Sequence, residues 1–212
     1  MRFDLLDVPD LKEALRSSRK IGLGSGRTVA AFLRYAESAG ILNREASYIP
    51  SSSQIASVAY ELGLTLGSDQ RVEDVQITLD GADQVLPSNV FIKGGGGALL
   101  REKILWSVSK QIYVMVTKEK ISERLTVPIP LEVHPMAINF VVAKVAELGG
   151  NGILRVLERG YTYTTENGNV IVDVLIKRRN IARLGMRLKL IPGVLEVGIF
   201  SNDKAKLCVV PD

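Results

Sequence analysis

Four successive glycines, Gly94 to Gly97, stand between Lys93 and a segment that carries Glu102. Glycine loses more conformational entropy on folding than any other residue, so a chain that keeps four together uses their bare backbone. Such a loop lets the main chain approach a ligand closely and lets N–H groups converge on developing negative charge. Preorganised donors of this kind are each worth on the order of a hundredfold in rate. Glu102 follows by about a turn and a half of helix, near enough to reach back toward the loop. The plainer reading is a flexible linker with a surface Glu-Lys pair. Linkers, however, usually contain serine and join domains, whereas this run lies between an extended segment and an apolar helix.

Two further segments offer chemistry. Residues 22–28 read GLGSGRT. A glycine-rich turn between a strand and a helix presents amides at the positive end of the helix dipole, a site for phosphate. The dinucleotide pattern G-x-G-x-x-G fails because Arg27 occupies the third glycine position, and no Gly-Lys-Ser/Thr completes a Walker A loop. Two readings remain: a loop for one phosphate, using Ser25, Gly26, Arg27 and Thr28, or a tight turn with glycines only for shape. Asp80-Gly81-Ala82-Asp83 puts two carboxylates three residues apart at the end of a strand pattern, where open α/β sheets place ligands. A metal site is the rival, but the one histidine, His134, lies far along the chain and a hard cation recruits more oxygens. Aspartates capping a turn are the plain alternative. Together these pieces form the inventory for removing a proton beside a carbonyl in a small phosphorylated substrate, and they include neither a nucleophile paired with a base nor a metal cluster. His134 is read as structural and Trp106 as packing. Lys118 and Lys120 follow an apolar run at a sheet end, where one of them can meet substrate.

The elements that must hold these residues follow from periodicity. Ile21 to Gly24 is a short strand. Val29, Phe32, Leu33 and Ala36 recur at i, i+3, i+4 and i+7, so a helix begins near Thr28 and stops by Gly40. Ser51 to Ser53 cap a second helix that ends at Gly63. Asp74 to Asp80 alternates as a strand, Leu100, Ile104, Leu105 and Val108 mark a helix, and Ile112 to Val116 suits a buried parallel strand. Strands alternating with helices predict a mainly parallel α/β sheet. Pro128 and Pro130 are excluded from helices and central strands and so mark a boundary. Beyond them come a helix around Phe140 to Leu148, stopped by Gly149-Gly150, and a hairpin whose Asn167-Gly168 pair suits a type I′ turn. The expected division is a large domain of residues 1–128 plus 199–212 and a small α+β domain of residues 129–198.

Composition bounds the function. The 212 residues are 46% apolar, enough for a substantial core. A single cysteine, Cys208, excludes an internal disulfide and suits a reducing, cytoplasmic setting. No run approaches the ~20 apolar residues of a membrane span, and the N-terminal stretch lacks the pattern of a secretory signal. A net charge of +4 comes from basic residues scattered among acidic ones, with Lys177-Arg178-Arg179 the one dense run. That describes a solvated surface that attracts a small anion better than it describes a nucleic-acid binder.

In order along the chain, these motifs resemble the ribose-5-phosphate isomerase A family. GLGSGRT is similar to its GxGTGST loop, SSSQ to its TSS segment and LDGADQ to its DGADE motif. KGGGGALLREK matches its KGGGGAL-x-x-EK signature almost letter for letter. PIPLEV, TENGNVIVD and IPGVLEVGIF resemble PLPVEV, TDNGN-x-x-x-D and PGVVENGLF. The likeness runs from Ile21 to Phe200. It implies a Rossmann-like domain with a small ferredoxin-like α+β domain, a homodimer or homotetramer, and conversion of a small phosphorylated sugar through an enediolate without metal or cofactor. Glu102 falls on the family's general base. Asp80, Asp83 and Lys93 fall on its other catalytic residues. Ser25, Gly26, Arg27, Thr28, Gly81, Ala82, Gly94, Gly95, Gly96 and Lys120 match its substrate-binding positions. Arg27 replaces a small hydroxyl residue, and Gln84 replaces the glutamate of DGADE. The main alternative is a sugar-phosphate-sensing module, which keeps the phosphate loop but needs no base. Such a sensor would carry a DNA-binding helix pair, and only about 20 residues precede the loop here.

Overall fold

The computed structural model describes residues 1–3, 8–67, 72–177 and 180–211. Arg178 and Arg179 of the basic run therefore lie outside the described residues. The strands are β1 (Lys20–Leu23), β2 (Ser47–Pro50), β3 (Thr65–Leu66), β4 (Ile77–Gly81), β5 (Gln84–Leu86), β6 (Val90–Ile92) and β7 (Gln111–Thr117). They continue with β8 (Ile129–Val133), β9 (Asn151–Leu154), β10 (Val170–Leu175), β11 (Val194–Val197), β12 (Ile199–Ser201) and β13 (Ala205–Val210). The helices are α1 (Pro9–Ser17), α2 (Arg27–Ser38), α3 (Ser53–Glu61), α4 (Leu99–Val108), α5 (Ile138–Glu147) and α6 (Ile181–Lys189). The chain forms two compact units, one of Met1–Ala82, Arg101–Lys120 and Asn202–Asp212, the other of Asp83–Leu100 and Ile121–Ser201.

The first unit holds a parallel sheet in the order β3-β2-β1-β4-β7-β13. That is the doubly wound order, which reverses direction between β1 and β4 and opens a crevice at their carboxyl ends. Val29, Phe32, Leu33 and Ala36 of α2 are buried, as their spacing predicts. The Ser52 side chain caps α3 by accepting from the Ile55 amide at 3.3 Å. Residues 112–117 of β7 are all buried, because β4 and β13 flank the strand. β4 starts later than alternation suggests: Asp74 has a positive φ of 61° and turns the chain before the strand begins.

The second unit holds two antiparallel sheets. One is ordered β12-β6-β5 and the other β11-β8-β10-β9. In the latter, the succession β8-α5-β9-β10-α6-β11 is the split βαβ arrangement of ferredoxin-like folds. Pro130 lies inside β8, a central strand, where the sequence rules led us to expect a boundary. The ladder tolerates it because Pro130 pairs with Asp173 on one side. On the other it uses only its carbonyl, which accepts from the Gly198 amide at 2.7 Å just past the end of β11. The Asn167-Gly168 turn also differs from a type I′ turn, since only Gly168 of the two has positive φ. Side chains set its shape: Thr165 Oγ1 accepts from the Asn167 and Asn169 amides, and both asparagine side chains donate to the buried Glu132.

Cys208 lies on β13 and is fully buried, which pushes its thiol up to about 12. The native protein should therefore resist iodoacetamide at pH 8 and react fully once unfolded; rapid native labelling would contradict the packing. Burial also raises Tyr48, to about 12, and Tyr113. Each folded pKa exceeds its unfolded value, so the associated stability is fully present below the unfolded values and disappears as pH rises through the folded ones. Chemical denaturation should show this contribution level below pH 9 and declining from there to about 12.

Candidate active site

Both strands at the switch point deliver predicted residues. β1 ends at Leu23, and the Gly24 amide then donates to the Leu79 carbonyl of β4 at 2.8 Å. The turn leads into α2, whose N-cap is Gly26 with a φ of 113°. Gly26 has no side chain, so the N-cap residue itself does not cap the first-turn amides, an arrangement that suits an anion. Arg27 is exposed and Thr28 half-buried at that helix start. The Ser25 hydroxyl accepts from the Ser52 hydroxyl at 3.2 Å, and its amide donates to Glu102 Oε1 at 3.0 Å.

Glu102 sits in the first turn of α4 and is 3% exposed. Its position near a helix start favours a negative charge. Asp80, near the end of β4, is 0% exposed. Its Oδ1 accepts from the Gly81 amide at 2.8 Å and its Oδ2 from the Trp106 indole at 2.6 Å. A Cβ on Gly24 would collide with this carboxylate, which is why the turn needs glycine there. The Lys120 ammonium donates to the Ala82 carbonyl at 2.8 Å, whereas Lys118 is exposed.

In the second unit, Asp83 donates its amide to the Ile92 carbonyl at 2.8 Å, and its Oδ2 accepts from the Gly95 amide at 2.8 Å. Lys93 follows β6, is 3% exposed, and places its ammonium 5.4 Å from the Phe200 ring centroid. The glycine run is braced from behind. One Arg155 nitrogen donates to the Gly94 and Gly95 carbonyls at 2.8 and 2.9 Å, and the Tyr163 hydroxyl donates to the Gly96 carbonyl at 2.9 Å. Asp173 grips Arg155 with both carboxylate oxygens, at 2.8 and 2.5 Å. Burial raises the Tyr163 pKa, which keeps the hydroxyl a donor. Each peptide's amide points opposite to its own carbonyl. Two of these amides are engaged: Gly95 by Asp83, and Gly97 by the Gly94 carbonyl at 3.0 Å.

In the first unit Glu102 thus binds the Ser25 amide, Asp80 binds Gly81 and Trp106, and Lys120 binds Ala82. In the second, Asp83 binds Gly95 within the run that follows Lys93. Gln84 is buried and serves structure: its amide nitrogen donates to the Arg124 carbonyl and Thr126 hydroxyl, and its oxygen accepts from the Thr126 and Val127 amides. A glutamate could not make the donor half of that set. His134 caps a short helical turn through Nδ1. Among the described residues, no group of three His, Cys, Asp or Glu side chains is placed to hold a metal. A groove of about 1130 Å³ in the second unit, lined in part by Leu86, Arg124, Lys177 and Asn180, contains none of the predicted site residues.

Sequence reasoning missed Arg155, Tyr163 and the polar role of Trp106. Only Trp106 left a local signal, since it stands at i+4 from Glu102 on the same helix face. Arg155 reaches Asp173 across 18 positions and the Gly94 carbonyl across 61, separations that no local pattern encodes.

Residues 47–212 match the family model described as Ribose 5-phosphate isomerase A (phosphoriboisomerase A). Ribose-5-phosphate isomerase A of Legionella pneumophila strain Corby is 36% identical over 192 residues, covering 90% of this chain and 86% of the relative. The solved ribose 5-phosphate isomerase A of Methanocaldococcus jannaschii superposes with a TM-score of 0.83 at 33% identity, covering 92% of this chain and 91% of that one. A D-ribose-5-phosphate isomerase solved in complex with phospho-erythronic acid gives a TM-score of 0.84 at 28% identity, covering 97% and 96%.

Arg155→Met should leave the half-buried Asp173 without its partner and cost about 2–3 kcal/mol in urea unfolding. The same variant should accelerate amide exchange across Gly95 to Gly97 in the native protein. Unchanged exchange there would show that the guanidinium does not hold the loop.

Proposed function

The chain belongs to the ribose 5-phosphate isomerase A family and is an isomerase, and we propose that it interconverts D-ribose 5-phosphate and D-ribulose 5-phosphate through an enediolate, with Glu102 as the general base. The observation that carries this reading is the buried Glu102 carboxylate, oriented by the Ser25 amide of the turn that opens α2. A base so placed lies beside a helix start suited to the substrate phosphate. Glu102 takes the proton from C2 of the aldose and returns it to C1, which moves the carbonyl to C2 without any redox partner.

The remaining roles follow the family motifs residue by residue. Ser25, Gly26, Arg27 and Thr28 bind the phosphate. Asp80, at the carboxyl end of β4, assists opening of the furanose ring and moves protons between sugar oxygens, and Gly81 and Ala82 flank it. Lys93 stabilises the enediolate, helped by the Gly94 and Gly96 amides; Asp83, which holds the Gly95 amide beside the substrate, completes the catalytic set, and Lys120 contacts the sugar. Neither metal nor cofactor takes part. We place the enzyme in the non-oxidative branch of the pentose phosphate pathway, in the cytoplasm, as a homodimer or homotetramer, with no nucleic-acid or membrane partner. Among the described residues no helix is long and apolar enough to cross a membrane. The phospho-erythronic acid bound by one relative is a phosphorylated sugar acid, the ligand class this reading requires.

Glu102→Gln should lower kcat on ribose 5-phosphate by roughly a thousandfold, the scale of general-base catalysis, while KM stays within a few-fold. Wild-type activity should survive a chelator unchanged. Retention of more than a small fraction of the rate in the glutamine variant would remove Glu102 as the base. Binding of ribose 5-phosphate without any turnover by the wild type would favour a sensor.

A further inference from the structure

The indole of Trp106 is the least expected neighbour of the catalytic carboxylates. Trp106 is the one tryptophan of the chain, is 2% exposed, and stands one helical turn after Glu102 on α4. Its N–H donates to Asp80 Oδ2 at 2.6 Å, a short and therefore direct bond. An indole nitrogen donates and cannot accept, so it fixes that oxygen as an acceptor along this direction. The other oxygen is engaged by the Gly81 amide at 2.8 Å, and the Gly24 backbone walls the carboxylate from the β1 side. Rotation of the carboxylate would break both bonds at once. The indole is enclosed, and the Trp106 backbone carbonyl accepts from the Asn202 side chain at 3.3 Å, which ties down this turn of α4.

We propose that Trp106 is a positioning residue, which holds the plane of the Asp80 carboxylate in the orientation that proton movement between sugar oxygens requires. The inference rests on the isomerase reading and on Asp80 as the group that moves those protons. Trp106 acts through Asp80 and touches no substrate atom. Losing the indole N–H therefore slows a step that follows binding and leaves affinity to the phosphate loop. The plain alternative is a packing role, in which the indole stabilises the fold and its bond to Asp80 is incidental.

A double-mutant cycle separates the two. Trp106→Phe keeps an aromatic ring and removes the N–H. On ribose 5-phosphate it should lower kcat roughly tenfold, which corresponds to ~1.4 kcal/mol of transition-state stabilisation, with KM within about twofold. In an Asp80→Asn background, followed over long incubations at high enzyme concentration, the same change should lower kcat no further. An unchanged kcat in the single variant, or an equal factor in both backgrounds, would overturn the proposal. Should Trp106→Phe fail to fold, Asp80→Asn reads the contact from the other side. It should shift the emission maximum of the sole tryptophan, and an unshifted maximum would overturn the proposal as well. Turnover by the wild type and its loss in Glu102→Gln test the isomerase reading independently of these outcomes.

Discussion

A carboxylate removed from water must find donors, and the bond from the Ser25 amide to Glu102 is where this protein meets that demand. The bond links the turn after β1 to the first turn of α4, two segments 77 positions apart. It requires the chain after β1 to turn sharply with an amide pointing inward, which a glycine-rich turn allows. It also requires α4 to begin where its first turn faces the carboxyl ends of the sheet. The doubly wound strand order supplies both conditions, since β1 and β4 are neighbours at the point of reversal.

The second unit solves a related problem with carbonyls. A polyglycine run has no side chains to define its path, so its conformation must be imposed by neighbours. Arg155 and Tyr163 do this by taking three successive carbonyl oxygens, and Asp173 holds Arg155 in place. Peptide geometry then dictates where the amides face. A loop that looks flexible from composition is thus pinned, one residue at a time, on the side away from Asp83.

The legible part of the structure was the part governed by short-range rules. The apolar spacing of Val29, Phe32, Leu33 and Ala36, the cap at Ser52 and the run in β7 were readable because local periodicity and burial coincide there. The candidate site residues stood out too, because their types are unusual for their surroundings: four glycines, two aspartates at a strand end, one glutamate after the loop. Pro130 was misread because the rule against proline in central strands considers the missing N–H and not which side of the strand it faces. Asn167-Gly168 was misread because Thr165 and Glu132, side chains outside the dipeptide, set its dihedrals. Arg155 was invisible for the same reason: its meaning lies in partners brought near only by the fold.

The central claim is that a side-chain base carries a carbon-bound proton through an enediolate. Turnover in deuterium oxide examines that directly. Many cycles with ribose 5-phosphate should place solvent deuterium at C1 of ribulose 5-phosphate, visible by proton NMR, and Glu102→Gln should abolish the incorporation. Ribulose 5-phosphate formed at the full wild-type rate with C1 still entirely protiated would indicate direct hydride transfer between the carbons and contradict the account.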